Sequence, residues 1–268
     1  MPVPDELLTA GLEITGHFED SDEPLAAVSG NFDGMGISLG VLQWNIGSNS
    51  LQPIVRGIGQ ATALASMPNR GADLWKACNT SVAEGLAIVR AWQPNNKLPA
   101  DVRAELKAFV KSSPFQKAQL ETARKVGDRA WDLAVSWATA QQRPTASKKE
   151  FCWFYDVLTQ NGSMKSVTFD SVKAFIAGHG AHSADDVVCD WLANCTPPLA
   201  GAKDAIKNAT EWRNNVPDES MVLFVASYLR AGEAKSEWRA DVLNRKGTIA
   251  VGKGWVHAGK HDLSAITG

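Results

Sequence analysis

The sequence predicts an α+β protein that is predominantly α-helical with a small β element, and three observations predict it. Apolar residues recur at helical spacing in nearly every segment from residue 51 to residue 230. Between residues 28 and 47 that pattern breaks into short apolar pieces divided by Gly30, Gly34, Gly36, Gly40 and Gly47. With 268 residues, 44% of them hydrophobic and 21% charged, the chain is also long and apolar enough to build a sizeable core.

Residues 4–18 read as a helix, with Leu7, Ile14 and Phe18 on one stripe and Leu8 and Leu12 beside it. Its carboxyl end delivers Glu19. The glycine-divided stretch at 28–47 suits a small irregular sheet or hairpin, since glycine supplies the backbone angles that tight turns need. Helical spacing then returns at 51–66, 71–91, 101–111, 114–138, 147–160, 168–177, 183–195, 199–214 and 217–230, with proline or glycine as punctuation. Ser183 and Asp186 form a capping-box-like start, after which Val188, Trp191, Leu192 and Cys195 share a face. Pro217 suits a first helical turn, and Met221, Phe224, Val225, Tyr228 and Leu229 give a broad apolar face. The chain reads as a single domain, 1–268, of two lobes, with the loop "QQRPTASK" at 141–148 as the expected boundary between them.

Composition excludes several classes. A formal charge of −2 gives no overall basic field, which argues against a nucleic-acid binder relying on phosphate neutralisation. No run approaches the roughly 18 apolar residues that span a bilayer, so no membrane insertion is expected. The amino terminus lacks the basic-then-apolar order of a secretion signal, so synthesis in the cytoplasm is expected. Cys78, Cys152, Cys189 and Cys195 form no zinc pattern, and a Cys189–Cys195 bridge has no support beyond proximity in sequence. His179 and His182 precede two of these cysteines at a spacing that matches no ligand motif, so neither a metal nor another cofactor is expected. Ten tryptophans stand against two tyrosines. Core filling is the expected role for most, and a flat apolar face for a sugar ring is the alternative.

Chemistry concentrates in "HFEDSDEPLAAVSGNFDGMGISLGVLQWNIG", residues 17–47. Glycoside hydrolysis needs a protonated acid on the leaving oxygen and a second carboxylate that attacks or activates water. Glu19, a helix-end carboxylate beside Phe18, suits the first post, because desolvation disfavours the anion. Asp33, among turn amides that favour the anion, suits the second. Turn chemistry alone also accounts for Asp33.

The order of these residues resembles the lysozyme superfamily, particularly chitosanases and phage-type lysozymes. The pieces are Phe18-Glu19, then Asn31-Phe32-Asp33-Gly34-Met35-Gly36-Ile37-Ser38, then Leu39-Gly40-Val41-Leu42-Gln43-Trp44. The resemblance implies a lysozyme-like fold with a cleft between two lobes, Glu19 as general acid, Asp33 as base, and Ser38, in place of the commoner threonine, as the holder of the attacking water. "FCWFYDVLTQNGS", 151–163, is similar to the family's aromatic helix ending in Asp-x-x-x-Gln-x-Gly near the cleft, which implies substrate-facing roles for Asp156, Gln160 and Asn161. Asn161-Gly162 is also simply a good helix stop, and Asp156 a solvated or structural polar group. The terminal "RKGTIAVGKGWVHAGKHDL" is similar to the closing strand and loop of bacterial cell-wall-lytic proteins.

Three functions are compatible with these residues. A peptidoglycan muramidase, inverting or acting as a lytic transglycosylase, is the favoured one, reaching the periplasm or cell wall as an antibacterial secretion-system effector or phage endolysin. An immunity or delivery protein is then a candidate partner beside the glycan. A chitosanase would use the same carboxylates on a cationic polymer, as the acidic cluster Asp20, Asp22 and Glu23 mildly favours. Gln43, Trp44 and Asn45 form a polar and aromatic run suited to acetamido sugars, which favours peptidoglycan. A non-catalytic glycan-binding module is the third, and it has no need of an acid, a base and a hydroxyl together.

Overall fold

Helix α1 (Asp5–Phe18) opens the chain in the computed structural model, which describes residues 2–18, 24–31, 33–179 and 183–268. Among the described residues there are fourteen α-helices and five short strands, the mainly helical architecture with a small antiparallel sheet that the apolar pattern predicts. The chain divides into two compact units, Thr15–Lys125 and Met1–Ile14 with Val126–Gly268.

In the smaller unit, β1 (Val28–Ser29), β2 (Ser38–Leu39) and β3 (Trp44–Asn45) form an antiparallel sheet in chain order, with Ser38 opposite both Ser29 and Asn45. Glycines at positive φ, Gly34 and Gly36 before β2 and Gly40 after it, keep that strand to two residues. Helices α2 (Leu51–Ile58), α3 (Gln60–Ser66), α4 (Gly71–Cys78), α5 (Val82–Ala91) and α6 (Ala100–Val110) follow. The helix expected at 51–66 is two, because Gly59 breaks it at φ 95°. That expected at 71–91 is also two, because Ser81 caps a fresh start with Glu84 in a reciprocal capping box. Ile37, Leu39, Trp44 and Ile46 join Leu106, Phe109 and Phe115 in one buried cluster beneath the sheet.

Helix α7 (Ser113–Ala140) carries the chain into the larger unit. There α8 (Lys148–Asn161), α9 (Phe169–Ala177), α10 (Ala184–Ala193), α11 (Ala202–Trp212), α12 (Met221–Gly232) and α13 (Arg239–Val251) precede the hairpin β4 (Lys253–Val256) and β5 (Gly259–Asp262) and the last turn, α14 (Ser264–Thr267). The loop at 141–148 joins α7 to α8, and the two units part within α7 instead. Ser183 caps α10 as its sequence predicts, accepting from the Asp186 amide at 3.4 Å.

Two helices form the centre of this unit. In α8 every residue from Phe151 to Leu158 is buried, and in α13 every residue from Leu243 to Val251. The buried run of α13 contains Asn244, Arg245, Lys246, Gly247 and Thr248, polar residues and a glycine that read in sequence as a solvated turn rather than as a core helix. This explains a correction: residues 245–251, which the resemblance implies to be strand and loop, continue α13, and the hairpin begins only after Gly252 turns the chain at φ 96°. Gly247 is needed in mid-helix, since a Cβ there would lie 2.6 Å from the Trp212 ring.

All four cysteines are buried free thiols, so no Cys189–Cys195 bridge forms. Burial pushes Cys78, Cys152 and Cys189 up to about 12 and Cys195 up to about 11. Among the described residues no helix is long and apolar enough to cross a membrane.

Candidate functional site

Asp33 sits at the exposed tip of the turn between β1 and β2, where its Oδ1 accepts the Met35 amide at 3.0 Å. Beneath the tip the turn is fastened by amide side chains that the sequence reading did not single out. Asn31, 8% exposed, accepts the Gly36 amide at 2.8 Å and donates to Asn96 Oδ1 at 2.8 Å. Gln93, just beyond α5, accepts the Asn31 amide at 2.8 Å and donates to the carbonyls of Gly36 at 2.9 Å and Val89 at 3.0 Å. Arg90 donates to the Gly34 carbonyl at 2.7 Å. Gly36, at φ 89°, leaves no room for a side chain, because a Cβ would lie 2.8 Å from Val89. The result is an exposed carboxylate on a buried, bonded base.

Replacing Gln93 with alanine is therefore expected to cost about 1–3 kcal/mol, because the Asn31 amide and two carbonyls lose a buried partner. Urea unfolding measures that loss. Hydrogen exchange at Gly36 and Met35 should quicken in the variant, a local loosening that the stability change alone does not require.

Ser38 lies on β2 and is 3% exposed. The neighbouring polar run behaves differently from the expectation of sugar contacts. Trp44 is 7% exposed and packs edge-on to Phe115 with ring centroids 6.2 Å apart, so it belongs to the core. Asn45 uses its side chain to close the next turn, accepting the Ser48 amide at 2.8 Å. Gln43 is half-buried at φ 52°, its amide donating to the Gly40 carbonyl at 3.3 Å.

Asp156, Gln160 and Asn161 follow one another along α8 in the larger unit. Asp156 is fully buried and holds a pair of cations from α13: it accepts from Arg245 Nε at 2.9 Å and from the Lys246 ammonium. Burial alone would raise its carboxyl, but the two positive charges and their hydrogen bonds outweigh that and hold it below the ordinary carboxylate range. Burial in turn lowers Lys246 to about 8, against the pull of Asp156. Asp156 is thus a structural counter-ion, the second of its two readings, and not a substrate contact. Gln160 and Asn161 do meet solvent, in a pocket of about 470 Å³ that Arg230, Trp238, Arg245 and Lys246 also line.

Arg230, Trp238, Arg245 and Lys246 are the residues sequence reasoning missed here. Pairs of basic residues normally mark a solvated surface, and only the acid of α8, 89 positions away in sequence from Arg245, makes their burial affordable. Glu19, Asp20, Asp22, Glu23 and His182 lie outside the described residues. No group of three histidine, cysteine, aspartate or glutamate side chains suited to a metal occurs among the described residues. Comparison of the chain with protein-family models, with curated proteins and with solved structures finds no match.

Proposed function

We propose that the protein is a lysozyme-like glycoside hydrolase that cleaves the glycan strand of peptidoglycan, with Glu19 as general acid, Asp33 as base and Ser38 as holder of the attacking water. The observation that carries this reading is the Asp33 turn: an exposed carboxylate on a turn whose backbone is fixed from below by Asn31, Gln93 and Arg90, five residues before a strand hydroxyl. A turn of purely local origin needs only its own glycines and the aspartate. Long-range fastening of the turn backbone that carries a surface carboxylate is expected where the position of that carboxylate matters for chemistry.

In this mechanism Glu19 donates its proton to the glycosidic oxygen as the bond to the anomeric carbon breaks. Water held between Asp33 and the sugar gives up a proton to Asp33 and attacks the opposite face. Such a water requires the two carboxyl groups to stand roughly 6.5–9.5 Å apart and dictates inversion. The fold would be lysozyme-like, with the glycan in a cleft, and the biological role bacteriolytic, as a delivered effector or a phage endolysin with an immunity or delivery partner.

Incubation with purified peptidoglycan and, separately, with chitosan tests the reading, with released ends identified by mass spectrometry. Hydrolysed muramic ends from peptidoglycan support it. Cleavage of chitosan alone would replace it with a chitosanase, and anhydro-sugar ends with a lytic transglycosylase in which Glu19 does most of the work and Asp33 is dispensable. Proton NMR of the first products should show the α-anomer before mutarotation, and Ser38→Ala should lower kcat with little change in KM. Initial release of the β-anomer would make Asp33 a nucleophile and Ser38 an ordinary strand residue.

A further inference from the structure

We propose that the pocket between α8, α12 and α13 is a subsite for a carboxylate-bearing sugar of the glycan, with Arg230 as the carboxylate's partner and Trp238 as the platform for its ring. The inference rests on the hydrolase reading and narrows it, because peptidoglycan carries carboxylates and chitosan carries ammonium groups.

Arg230 is the key. It is 3% exposed, yet no carboxylate hydrogen-bonds it: Nε donates to the Ser163 carbonyl at 2.8 Å and Nη2 to the Asn161 carbonyl at 3.3 Å. Its Nη1 is buried without a hydrogen-bond partner among the described residues. Glu233, one turn on, acts on it only at a distance and is itself bonded by the Ser166 hydroxyl. A buried guanidinium with a spare donor is costly unless an anion completes it. Charge in the pocket agrees: Arg230, Lys235, Arg245 and Lys246 line it against one lining carboxylate, Asp241, with Asp156 bonded to Arg245 and Lys246 from beneath and Glu233 acting on Arg230, so four cations face three carboxylates among the described residues. An anion entering here finds an unbalanced positive field.

The remaining groups suit a sugar rather than a free ion. Trp238 is 52% exposed and is the one tryptophan among the exposed large hydrophobic residues, which puts a flat apolar ring at the pocket instead of in the core. Asn161 Oδ1 is buried without a partner among the described residues and can accept from an acetamido N–H, while Gln160 lines the pocket with an exposed amide. Carboxylate, ring face and acetamide are together the groups of an N-acetylated amino sugar bearing an acidic substituent.

Titration calorimetry at low temperature tests this with three tetrasaccharides: peptide-free peptidoglycan fragments with free lactyl carboxylates, the same fragments with those carboxylates converted to methylamides, and a neutral chitin oligomer. The free acid should bind the wild-type protein on the order of tenfold more tightly than the methylamide. Arg230→Gln should bring that ratio near one, and Trp238→Ala should weaken all three ligands alike, since stacking ignores the charge. Should Arg230→Gln fail to fold, Arg230→Lys and the exposed Lys235→Gln carry the test, each expected to narrow the ratio. A wild-type ratio near one, or an unchanged ratio in the variants, overturns the subsite. Peptidoglycan cleavage without charge discrimination overturns the subsite and leaves the hydrolase standing, whereas absence of both binding and cleavage for every glycan overturns both.

Discussion

Asp156→Asn is expected to destabilise the protein by about 3–5 kcal/mol, a large part of the roughly 5–15 kcal/mol that holds a typical domain together. The amide matches the carboxylate in shape, so packing hardly changes. What changes is that Arg245 and Lys246, 5% and 1% exposed, lose the charge that compensates their removal from water. The pH dependence separates this from an ordinary core defect. The Asp156 carboxyl is held below its usual value, so the stability it contributes is fully present above the unfolded carboxylate range and is lost as the pH falls through the folded value. The variant should lack that acid limb. Lys246 works in the opposite sense: with its folded pKa lowered from 10.5 to about 8, the unfolded chain binds more protons in that window and stability rises with pH across it. Removing Asp156 takes away the charge that favours the ammonium, so in the variant this rise should begin at lower pH. Urea unfolding across the pH range measures both limbs, and a uniform loss at every pH would show that the triad's charge is not what stabilises it.

Glu19→Gln should lower the rate of glycan hydrolysis by about a hundred- to ten-thousand-fold while leaving folding and glycan affinity nearly unchanged. The amide keeps the shape and hydrogen-bonding reach of the acid but has no proton to give the leaving oxygen. Asp33→Asn should cost activity in the same way, by removing the base. The Asp33 turn keeps its other fastenings in that variant, because Asn31, Gln93 and Arg90 hold the backbone and not the carboxylate. Wild-type turnover in Glu19→Gln would end the assignment, and in Asp33→Asn would reduce Asp33 to a turn residue. Circular dichroism and calorimetric binding of both proteins complete the comparison.

The secondary elements were legible where local rules decide them. Amphipathic stripes anticipated α1, α6, α7, α9 and α10 to within a few residues of their observed ends, and the clustered glycines at 30–47 anticipated the small sheet. Helix α13 was not legible, because its buried run Asn244-Arg245-Lys246-Gly247-Thr248 is polar and breaks the apolar stripe, whereas the equally buried α8 is apolar and was anticipated. Nor was the status of Trp44, since sequence cannot tell a ring packed edge-on against Phe115 from one presented to a ligand.

By itself, the sequence determined the helical class, the place of the small sheet and the turn chemistry around Asp33, all of which depend on residues near one another in the chain, and it offered Glu19 and Asp33 as candidates for acid and base. Only the tertiary structure decided that Asp156 is a buried counter-ion, that Gln93 and Asn31 fasten the Asp33 turn across 62 positions, and that Arg230 and Trp238 share a pocket with Asn161. The physical reason is that charge compensation and the satisfaction of buried polar groups are properties of surroundings. A basic pair or a glutamine reads the same in sequence whether it faces water or an acid, and only the packing of distant segments around it determines which.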